Sequence, residues 1–288
     1  MRDIRTEINK INEIVTLPAV LAEIMGELGK EEAVTHKVTR MVETDASLTS
    51  SILRVANSPY YGLRRRIDSL AQAITLLGLS EISRLLITFY MKQQLRSLSQ
   101  SQQRSLGLLW THSVNTASIA SLVAKEYELP TNGREYTAGL LHDMGKIVLL
   151  QYFPVELEKI NTLTAQTSRE DVLAETEILG IAHTVIGALL GEKWRLPVEF
   201  VEVMKCHHAS RSAITDPLLC AVVRFADLLA ESWGTGIGER TESTLFDKDE
   251  SFEMLGEQEP RIKAQGLKDV IGELSEKHAE QKSLVGLF

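Results

Sequence analysis

Apolar residues at helical spacing are the feature that most constrains the fold of this chain. They recur every three or four positions between short polar breaks, as in Leu48, Ile52 and Ala56, which are followed by Asn57-Ser58-Pro59. No stretch alternates apolar and polar residues in the manner of a half-buried strand. The 288 residues include 18 glycines, 7 prolines and 6% aromatics, so helix breakers and β-favouring side chains are both scarce. The sequence therefore predicts an all-α protein folded as a multi-helix bundle.

A polar stretch at 97–105 interrupts this pattern. It is rich in serine and glutamine, which indicates either a subdomain boundary or a solvated helix end. With the boundary interpretation, we expect an N-terminal helical subdomain over 1–100 and a subdomain of longer helices over 101–235. The last region, 236–288, is predicted to contain a charged linker and a C-terminal amphipathic helix. We expect that helix to run from Ile262 to His278.

Composition limits the classes of function. The formal net charge is −8, which argues against a general nucleic-acid binder, because such a protein needs a basic face. Two cysteines do not make a disulfide framework, which favours a reducing compartment. The first residues contain no apolar leader, and no apolar run approaches the roughly 18 residues of a membrane helix. We therefore expect a cytoplasmic protein that contacts neither nucleic acid nor membrane.

Five of the seven histidines lie on apolar faces of predicted helices. A lone histidine in such a place is usually a satisfied core residue, but core packing gives no reason to choose imidazole five times. The remaining two, His36 and His278, have polar or charged neighbours, and we expect both at the surface. The five apolar-face histidines are His112, His142, His183, His207 and His208.

Two carboxylates accompany these histidines. Asp143 directly follows His142, and Asp227 lies inside an apolar segment. A buried carboxylate is costly unless a cation neutralises it, and for Asp227 that cation is either a metal ion or Arg224. Imidazoles and carboxylates from several helices suit a divalent transition metal, whereas the chain lacks the thiolates of a zinc finger. Lys146, three residues after Asp143, can hold a phosphate.

The ordered set of His112, the segment 141–146 (Leu-His-Asp-Met-Gly-Lys) and Asp227 resembles the HD superfamily of metal-dependent phosphohydrolases. His183 and the pair His207-His208 are similar to its dinuclear branch, which includes cyclic-dinucleotide phosphodiesterases. A longer similarity points to the HDOD family, the HD-related output domain. It is carried by Leu17-Pro18, Val55–Gly62, Ile67–Gly78, Gly139–Lys146 and Trp194–Pro197.

The resemblance implies an N-terminal helical subdomain packed on an HD-like helical subdomain, and a bacterial signalling role. It also implies a site for two divalent ions, of which Fe, Mn or Ni are expected. Two departures from the family pattern stand out: Asp45-Ala46 replaces a frequent Asp-Pro, and this chain keeps the full set of metal ligands that many family members have lost. The retained set favours an enzyme, whereas the absence of the Gly-Tyr-Pro segment that marks cyclic-di-GMP phosphodiesterases argues against one. The implied ligands are His112, His142, Asp143, His183, His207 and Asp227, with His208 as a further candidate.

Three functions remain open at this stage. The first is a regulatory protein whose metal site serves sensing, ligand binding or structure. The second is a phosphohydrolase acting on a nucleotide or cyclic dinucleotide, with Asp143 bridging two metals and Lys146 and His208 stabilising phosphoryl charge. The third is a metal-free scaffold that recruits signalling proteins through the region from Asn57 to Arg66.

Overall fold

The computed structural model describes residues 46–58, 66–78, 81, 82, 85, 86, 89, 100–167, 170–235, 246 and 249–285. Every regular element in these ranges is a helix, which confirms the all-α prediction. Short 3-10 and π turns occupy Ser210–Ser212 and Glu231–Thr235. The α-helices are α1 (Ala46–Ala56), α2 (Leu70–Leu77), α3 (Gln100–Glu126), α4 (Glu135–Leu141), α5 (Met144–Tyr152), α6 (Pro154–Thr167), α7 (Asp171–Leu179), α8 (His183–Lys193), α9 (Val198–Cys206), α10 (Pro217–Ala230), α11 (Ser251–Gln258), α12 (Pro260–Gln265) and α13 (Leu267–Val285).

The helices α1 and α2 follow directly from their sequences. The Ser69 side chain caps α2 by accepting from the backbone N–H of Gln72, and Gly78 ends the helix at a φ of 84°. Their apolar stripes, including Ile52 and Leu70, are buried in one cluster with residues of α4, α5, α8 and α9. The N-terminal helices therefore share a core with the histidine-bearing part of the chain. The Leu17-Pro18 motif lies outside the described residues.

The helix α3 includes most of the polar stretch at 97–105. Because α3 begins at Gln100, residues 100–105 belong to a helix, and Arg104 and Ser105 are exposed, which agrees with the second interpretation, a solvated helix end. The subdomain limits at 100 and 235 remain predictions. Further along α3, Leu108 is 56% exposed, so it does not share the buried face of His112.

The core is organised around α3 and α10. The helix α10 begins with Asp216 as its cap and Pro217 in its first turn, and it is buried from Leu219 to Ala230, as expected of a helix that is apolar on nearly all sides. A second apolar cluster joins α3 and α10 to α11, α12 and α13. This packing places Arg224 and Asp227, which α10 carries, inside the protein.

The C-terminal region differs from the sequence prediction. Instead of one helix from Ile262 to His278, the chain forms α11, α12 and α13, with Gly266 at a φ of 86° between the last two. His278 was expected at the surface, and that prediction is wrong, because it is 5% exposed and stacks on Trp233. Docking of α13 on the second cluster buries this ring. His36 lies outside the described residues.

Among the described residues, no single helix combines the length and the apolar composition needed to cross a membrane. The pair α7 and α8, bent by 83°, meets those two criteria only when taken together.

Candidate metal centre

The fold brings all six implied metal ligands together at one buried place. Each is at most 3% exposed, although they come from three helices, one turn and the residue that follows a fourth helix. The nearest nitrogen and oxygen are His112 Nε2 and Asp227 Oδ1, which lie 3.0 Å apart. The ligands are supplied by α3 (His112), the turn between α4 and α5 (His142 and Asp143), the first residue of α8 (His183), the residue after α9 (His207) and α10 (Asp227).

Two glycines explain how the turn with His142 and Asp143 fits between α3 and α8. A Cβ on Gly139 would lie 2.8 Å from the Cα of Ala117, and a Cβ on Gly145 would lie 1.9 Å from the carbonyl oxygen of His183. Such approaches require the absence of a side chain. The two glycines of the Gly139–Lys146 motif therefore let α4 and α5 contact the backbones of α3 and α8 and set the position of Asp143.

Asp143 lies between two groups of imidazoles. Its Oδ2 is 3.6 Å from Nε2 of His112 and 3.4 Å from Nε2 of His142. Its Oδ1 is 3.1 Å from Nε2 of His183 and 3.7 Å from Nε2 of His207. One carboxylate oxygen thus faces each group, which is the arrangement expected of a residue that bridges two cations.

The hydrogen-bond partners of Nδ1, the ring nitrogen that points away from the centre, fix the tautomers of His142 and His207. Nδ1 of His142 lies 2.6 Å from the carbonyl oxygen of Gly139, and Nδ1 of His207 lies 3.0 Å from that of Val203. Since a carbonyl oxygen only accepts, each Nδ1 donates its hydrogen. In the neutral ring, Nε2 then presents a lone pair to the centre, which is the form that binds metal ions.

These lone pairs face other acceptors, so the centre needs cations. Nε2 of His183 lies 3.1 Å from Asp143 Oδ1 and 3.3 Å from Nε2 of His207. Within the described residues, His142 Nε2 and Asp143 Oδ1 are buried without a hydrogen-bond partner. Protons or metal ions must therefore separate the facing acceptors, and nitrogen and oxygen donors of this kind suit a divalent transition metal.

Among the described residues, four sets of three side chains have donor atoms that all lie within 4.8 Å of one another and could hold an ion. They are His112, His142 and Asp227; His183, His207 and His208; His142, Asp143 and His207; and Asp171, Glu175 and His183.

In the absence of a metal, protons supply part of the required positive charge. Burial lowers the pKa of His142, but the carboxylates of Asp143 and Asp227 outweigh burial and raise it to about 10. The neighbouring cations act on Asp143 in the opposite direction. Burial raises the pKa of Asp143, but His142 and Lys146 outweigh burial and hold that pKa well below its usual range. Metal binding at this place has to displace a proton from His142.

On the other side of Asp143, burial and the neighbouring charges shift the pKa values of His183 and His207 in opposite directions. Burial lowers the pKa of His183, yet the Glu175 and Asp143 carboxylates raise it to about 10. Burial, together with the neighbouring His142 and His183, lowers the pKa of His207 to about 4, although Asp143 opposes this shift. His207 is therefore a neutral donor at physiological pH.

Lys146 and His208, two of the predicted catalytic residues, lie at the more accessible side of the centre. Their side chains are 13% and 8% exposed, against 1% for Asp143. The Lys146 ammonium is 2.9 Å from Asp143 Oδ2 and 2.7 Å from Asp171 Oδ2. Nε2 of His208 faces the other Asp171 oxygen at 3.7 Å. This group of residues forms a polar rim beside the buried ligands.

The two oxygens of Asp227 face different partners, Arg224 on one side and the histidines on the other. The Arg224 guanidinium is 3.0 Å from Asp227 Oδ2, while Asp227 Oδ1 faces His112 and His142. Arg224 also contacts Asp249, just before α11, at 2.7 Å. The ion pair with Arg224 therefore leaves the second oxygen of Asp227 free to face the centre.

The sequence did not identify three acidic residues of this site: Asp171, which pairs with Lys146, and Glu175 and Asp249. Glu175 is 1% exposed and holds the ring of His183, and Asp249 holds Arg224. Nothing in the sequence marks either residue, because both contacts depend on how separate helices are placed in space.

The Asn57–Arg66 region, proposed above as a partner surface, is described only at its two ends. The Asn57 side chain donates to the carbonyl oxygens of Leu53 and Ile67 and accepts from the backbone N–H of Ile67, at 2.7 to 2.8 Å. Asn57, although exposed, thus connects the end of α1 to Ile67 across the loop. Residues 59–65 lie outside the described residues, so the partner surface remains a prediction.

The HDOD domain family model matches residues 14–210 of this chain, which is more than half of its length. The chain therefore belongs to the HDOD family, as its motifs indicate. The match ends before α10, so Asp227 and the C-terminal helices lie beyond it.

Solved structures share the fold. An HDOD domain protein of unknown function from Geobacter sulfurreducens superposes with a TM-score of 0.79 at 25% identity, over 99% of this chain and 96% of that one. A Shewanella amazonensis protein whose name suggests a phosphohydrolase gives 0.66 at 19% identity, over 96% of both chains. A Marinobacter aquaeolei protein whose name suggests signal transduction gives 0.65 at 21% identity, over 98% of this chain and 65% of that one. The last two similarities concern the fold alone.

The chain is short beside its curated relatives. It spans 38% and 25% of the lengths of two that it matches. What those whole proteins do therefore carries over only as a proposal.

Proposed function

We propose that this chain is a regulatory HDOD protein whose buried centre binds two divalent transition metal ions, such as Fe, Mn or Ni, and uses them to sense or bind a ligand. The observation that carries the proposal is the position of Asp143, with Oδ2 at 3.4 Å from His142 Nε2 and Oδ1 at 3.1 Å from His183 Nε2. Family membership and the name of the Marinobacter aquaeolei protein support the regulatory role.

The residues divide between two ions. His112, His142 and Asp227 would hold one, His183 and His207 would hold the other, and Asp143 would contact both. Bound divalent cations supply Lewis acidity and offset the negative charge of the buried carboxylates. The ring orientations fixed by the outward Nδ1 contacts preorganise this donor set.

Elemental analysis tests the proposal. Protein purified without a metal-chelating tag and reconstituted with Fe²⁺, Mn²⁺ or Ni²⁺ should hold about two ions per chain, as in other two-metal sites. His142→Gln should lower the content, because the ring nitrogen is lost. His278→Gln is a matched control, since that ring is also buried but stacks on Trp233 in the C-terminal cluster. Wild-type protein that takes up none of the three metals would contradict the proposal.

The polar rim favours a second candidate function, a phosphohydrolase acting on a nucleotide or cyclic dinucleotide. Lys146 contacts Asp143, and His208 contacts Asp171, on the side of the centre where side chains are partly exposed. A phosphate arriving there would meet the Lys146 ammonium as a point charge and a hydrogen-bonding imidazole on His208. Such a ligand has to compete with Asp171, which holds Lys146 at 2.7 Å.

Turnover by the metal-loaded protein separates the two candidates. The substrates to test are cyclic dinucleotides, nucleotides and a generic phosphodiester with Mn²⁺ or Fe²⁺. A hydrolase should lose about 10²–10³-fold in turnover on Lys146→Ala while it keeps its metal, as expected when a charge-stabilising group is removed. Lys205→Ala, an exposed lysine on α9, is the control. Metal-loaded protein without turnover on any of these substrates favours the regulatory function.

A further inference from the structure

Glu175 is a buried carboxylate to which the proposed metal set assigns no role. It lies on α7 and is 1% exposed. Its Oε2 accepts a hydrogen bond from the backbone N–H of His183 at 2.7 Å. The Nδ1 atom of the same residue lies 2.8 Å from Oε2 and 3.0 Å from Oε1. One carboxylate therefore fixes both the first residue of α8 and the orientation of its ring.

This contact decides which nitrogen of His183 faces the centre. An ionised carboxylate only accepts, so Nδ1 donates, and in the neutral ring Nε2 keeps its lone pair. That nitrogen lies 3.1 Å from Asp143 Oδ1 and 3.3 Å from Nε2 of His207. The outward nitrogens of His142 and His207 face backbone carbonyls instead. His183 alone among these three rings has a charged partner there.

A charged partner changes the ring as a donor. A carboxylate that accepts from the outer N–H makes the inner nitrogen more basic and holds the ring in place, and loss of such partners typically weakens metal binding about 10–100-fold. It also adds a negative charge close to the His183 and His207 side of Asp143. Ala182, the residue before α8, offers no side-chain cap, so Glu175 also caps this helix through the backbone N–H of His183. Capping alone would not require the additional contacts with the His183 ring.

We infer that Glu175 is a positioning residue for His183, which orients and strengthens that ring as a donor to the ion on the His183 and His207 side of Asp143. The inference rests on the proposed function, because it concerns one of the two proposed ions. It predicts that the two ions respond differently to a change at residue 175.

The test is a titration of metal-free protein with Co²⁺, followed by absorbance and calorimetry, in wild type and Glu175→Gln. The glutamine nearly keeps the shape and can still accept from the His183 backbone, but it lacks the charge. We expect wild type to bind in two steps and the variant to weaken one step by about 10–100-fold, with the other unchanged. The weakened step should be the one that His207→Gln removes. Saturating Co²⁺ should return the melting temperature of the variant to that of loaded wild type.

Glu135→Gln is the matched control. Glu135 is also a buried helical carboxylate, 8% exposed, but its Oε2 accepts from the hydroxyl of Thr131 at 2.6 Å. Both Co²⁺ steps should keep their wild-type affinity in this variant.

Several results would overturn the inference. If wild type binds two Co²⁺ ions and Glu175→Gln binds both with unchanged affinity, Glu175 has no role toward the ion, while the proposed function stands. A melting-temperature deficit that saturating Co²⁺ leaves unchanged would assign Glu175 to helix capping only. If wild type binds no Co²⁺, the proposed function fails and the inference fails with it.

Glu175→Asp keeps the test decisive if the glutamine variant does not fold. It retains the charge on a side chain one methylene shorter, so its carboxylate lies farther from Nδ1 of His183. The affinity for the ion on the His183 side should therefore fall below that of wild type, while the other step keeps its affinity. Wild-type affinity for both ions in Glu175→Asp would overturn the positioning role of Glu175.

Discussion

Gly145→Ala should be among the most damaging single-methyl additions in this protein. An ideal Cβ on Gly145 would lie 1.9 Å from the carbonyl oxygen of His183, 2.8 Å from its carbonyl carbon and 2.9 Å from the backbone nitrogen of Gly187. Comfortable non-bonded contacts begin near about 3.5 Å, so α5 and α8 would have to separate by roughly 1.5 Å. The atoms that must move belong to the backbone of α8, so a rotamer change cannot relieve the clash.

The cost follows from that geometry. Overpacking of a core typically costs about 1–3 kcal/mol and occasionally more, and the backbone clash places Gly145→Ala at or above about 3 kcal/mol. The better helix propensity of alanine offsets only about 1 kcal/mol of this destabilisation. The same movement draws Asp143 away from His183, so the variant should also lose metal on that side of the centre.

Urea unfolding of metal-free protein measures the effect. Gly107→Ala is the matched control, because Gly107 also lies inside a helix but its added Cβ would meet nothing within 4 Å. That variant should be as stable as wild type or up to about 1 kcal/mol more stable. The reasoning is refuted if Gly145→Ala unfolds at the wild-type urea midpoint, or if both variants are destabilised equally.

Three further predictions concern contacts around the site. Asn57→Ala should lower the free energy of unfolding by about 1–3 kcal/mol, since its side chain makes two hydrogen bonds to the backbone of Ile67 across the loop and each contributes about 0.5–1.5 kcal/mol; an unchanged thermal midpoint would contradict this. Arg224→Met should destabilise metal-free protein by about 3–5 kcal/mol, because the buried Asp227 and the part-buried Asp249 lose their guanidinium, and wild-type stability in urea would count against it. Burial raises the pKa of Glu202, but hydrogen bonds from the backbone N–H groups of residues 214–216 outweigh burial and lower it below 4.5. Its ionised form therefore adds stability above the unfolded-state pKa, and that stability disappears as pH falls through the folded-state pKa. Glu202→Gln should consequently be less stable than wild type at pH 7 by up to about 1 kcal/mol, with a smaller gap at pH 3; a gap that does not shrink on acidification would contradict the assignment.

Local patterns in the sequence were enough to predict the helical class and to single out the histidines and the two carboxylates that meet at the centre. Helix caps and stops such as Ser69 and Gly78 act within a few residues, so they can be recognised without a structure. The histidines and Asp143 could be chosen because imidazoles on apolar faces are costly without a purpose. None of this reasoning gave the distances that assign one Asp143 oxygen to each group of rings.

The missed features all depend on contacts between distant elements. Glu175 meets His183 only because the chain turns at Gly180, which has a φ of 73°, and bends by 83° between α7 and α8. His278 looked solvent-exposed beside Lys277, yet its ring packs on Trp233. Helical periodicity describes one helix at a time, so it does not report which faces meet.

The most direct test of the metal centre is the metal content of Asp143→Asn. Asparagine nearly keeps the shape of the side chain, but it has one good acceptor and no charge, whereas two close cations need a bridging negative charge to offset their repulsion. We predict about two ions per chain in reconstituted wild type and one or fewer in the variant. The melting temperature of the variant should approach that of chelator-treated wild type, because a ligand that binds only the folded state stabilises it. Added metal should restore the chelated wild type and not the variant. Full metal content together with the wild-type melting temperature in Asp143→Asn would contradict the bridging role and with it the dinuclear centre.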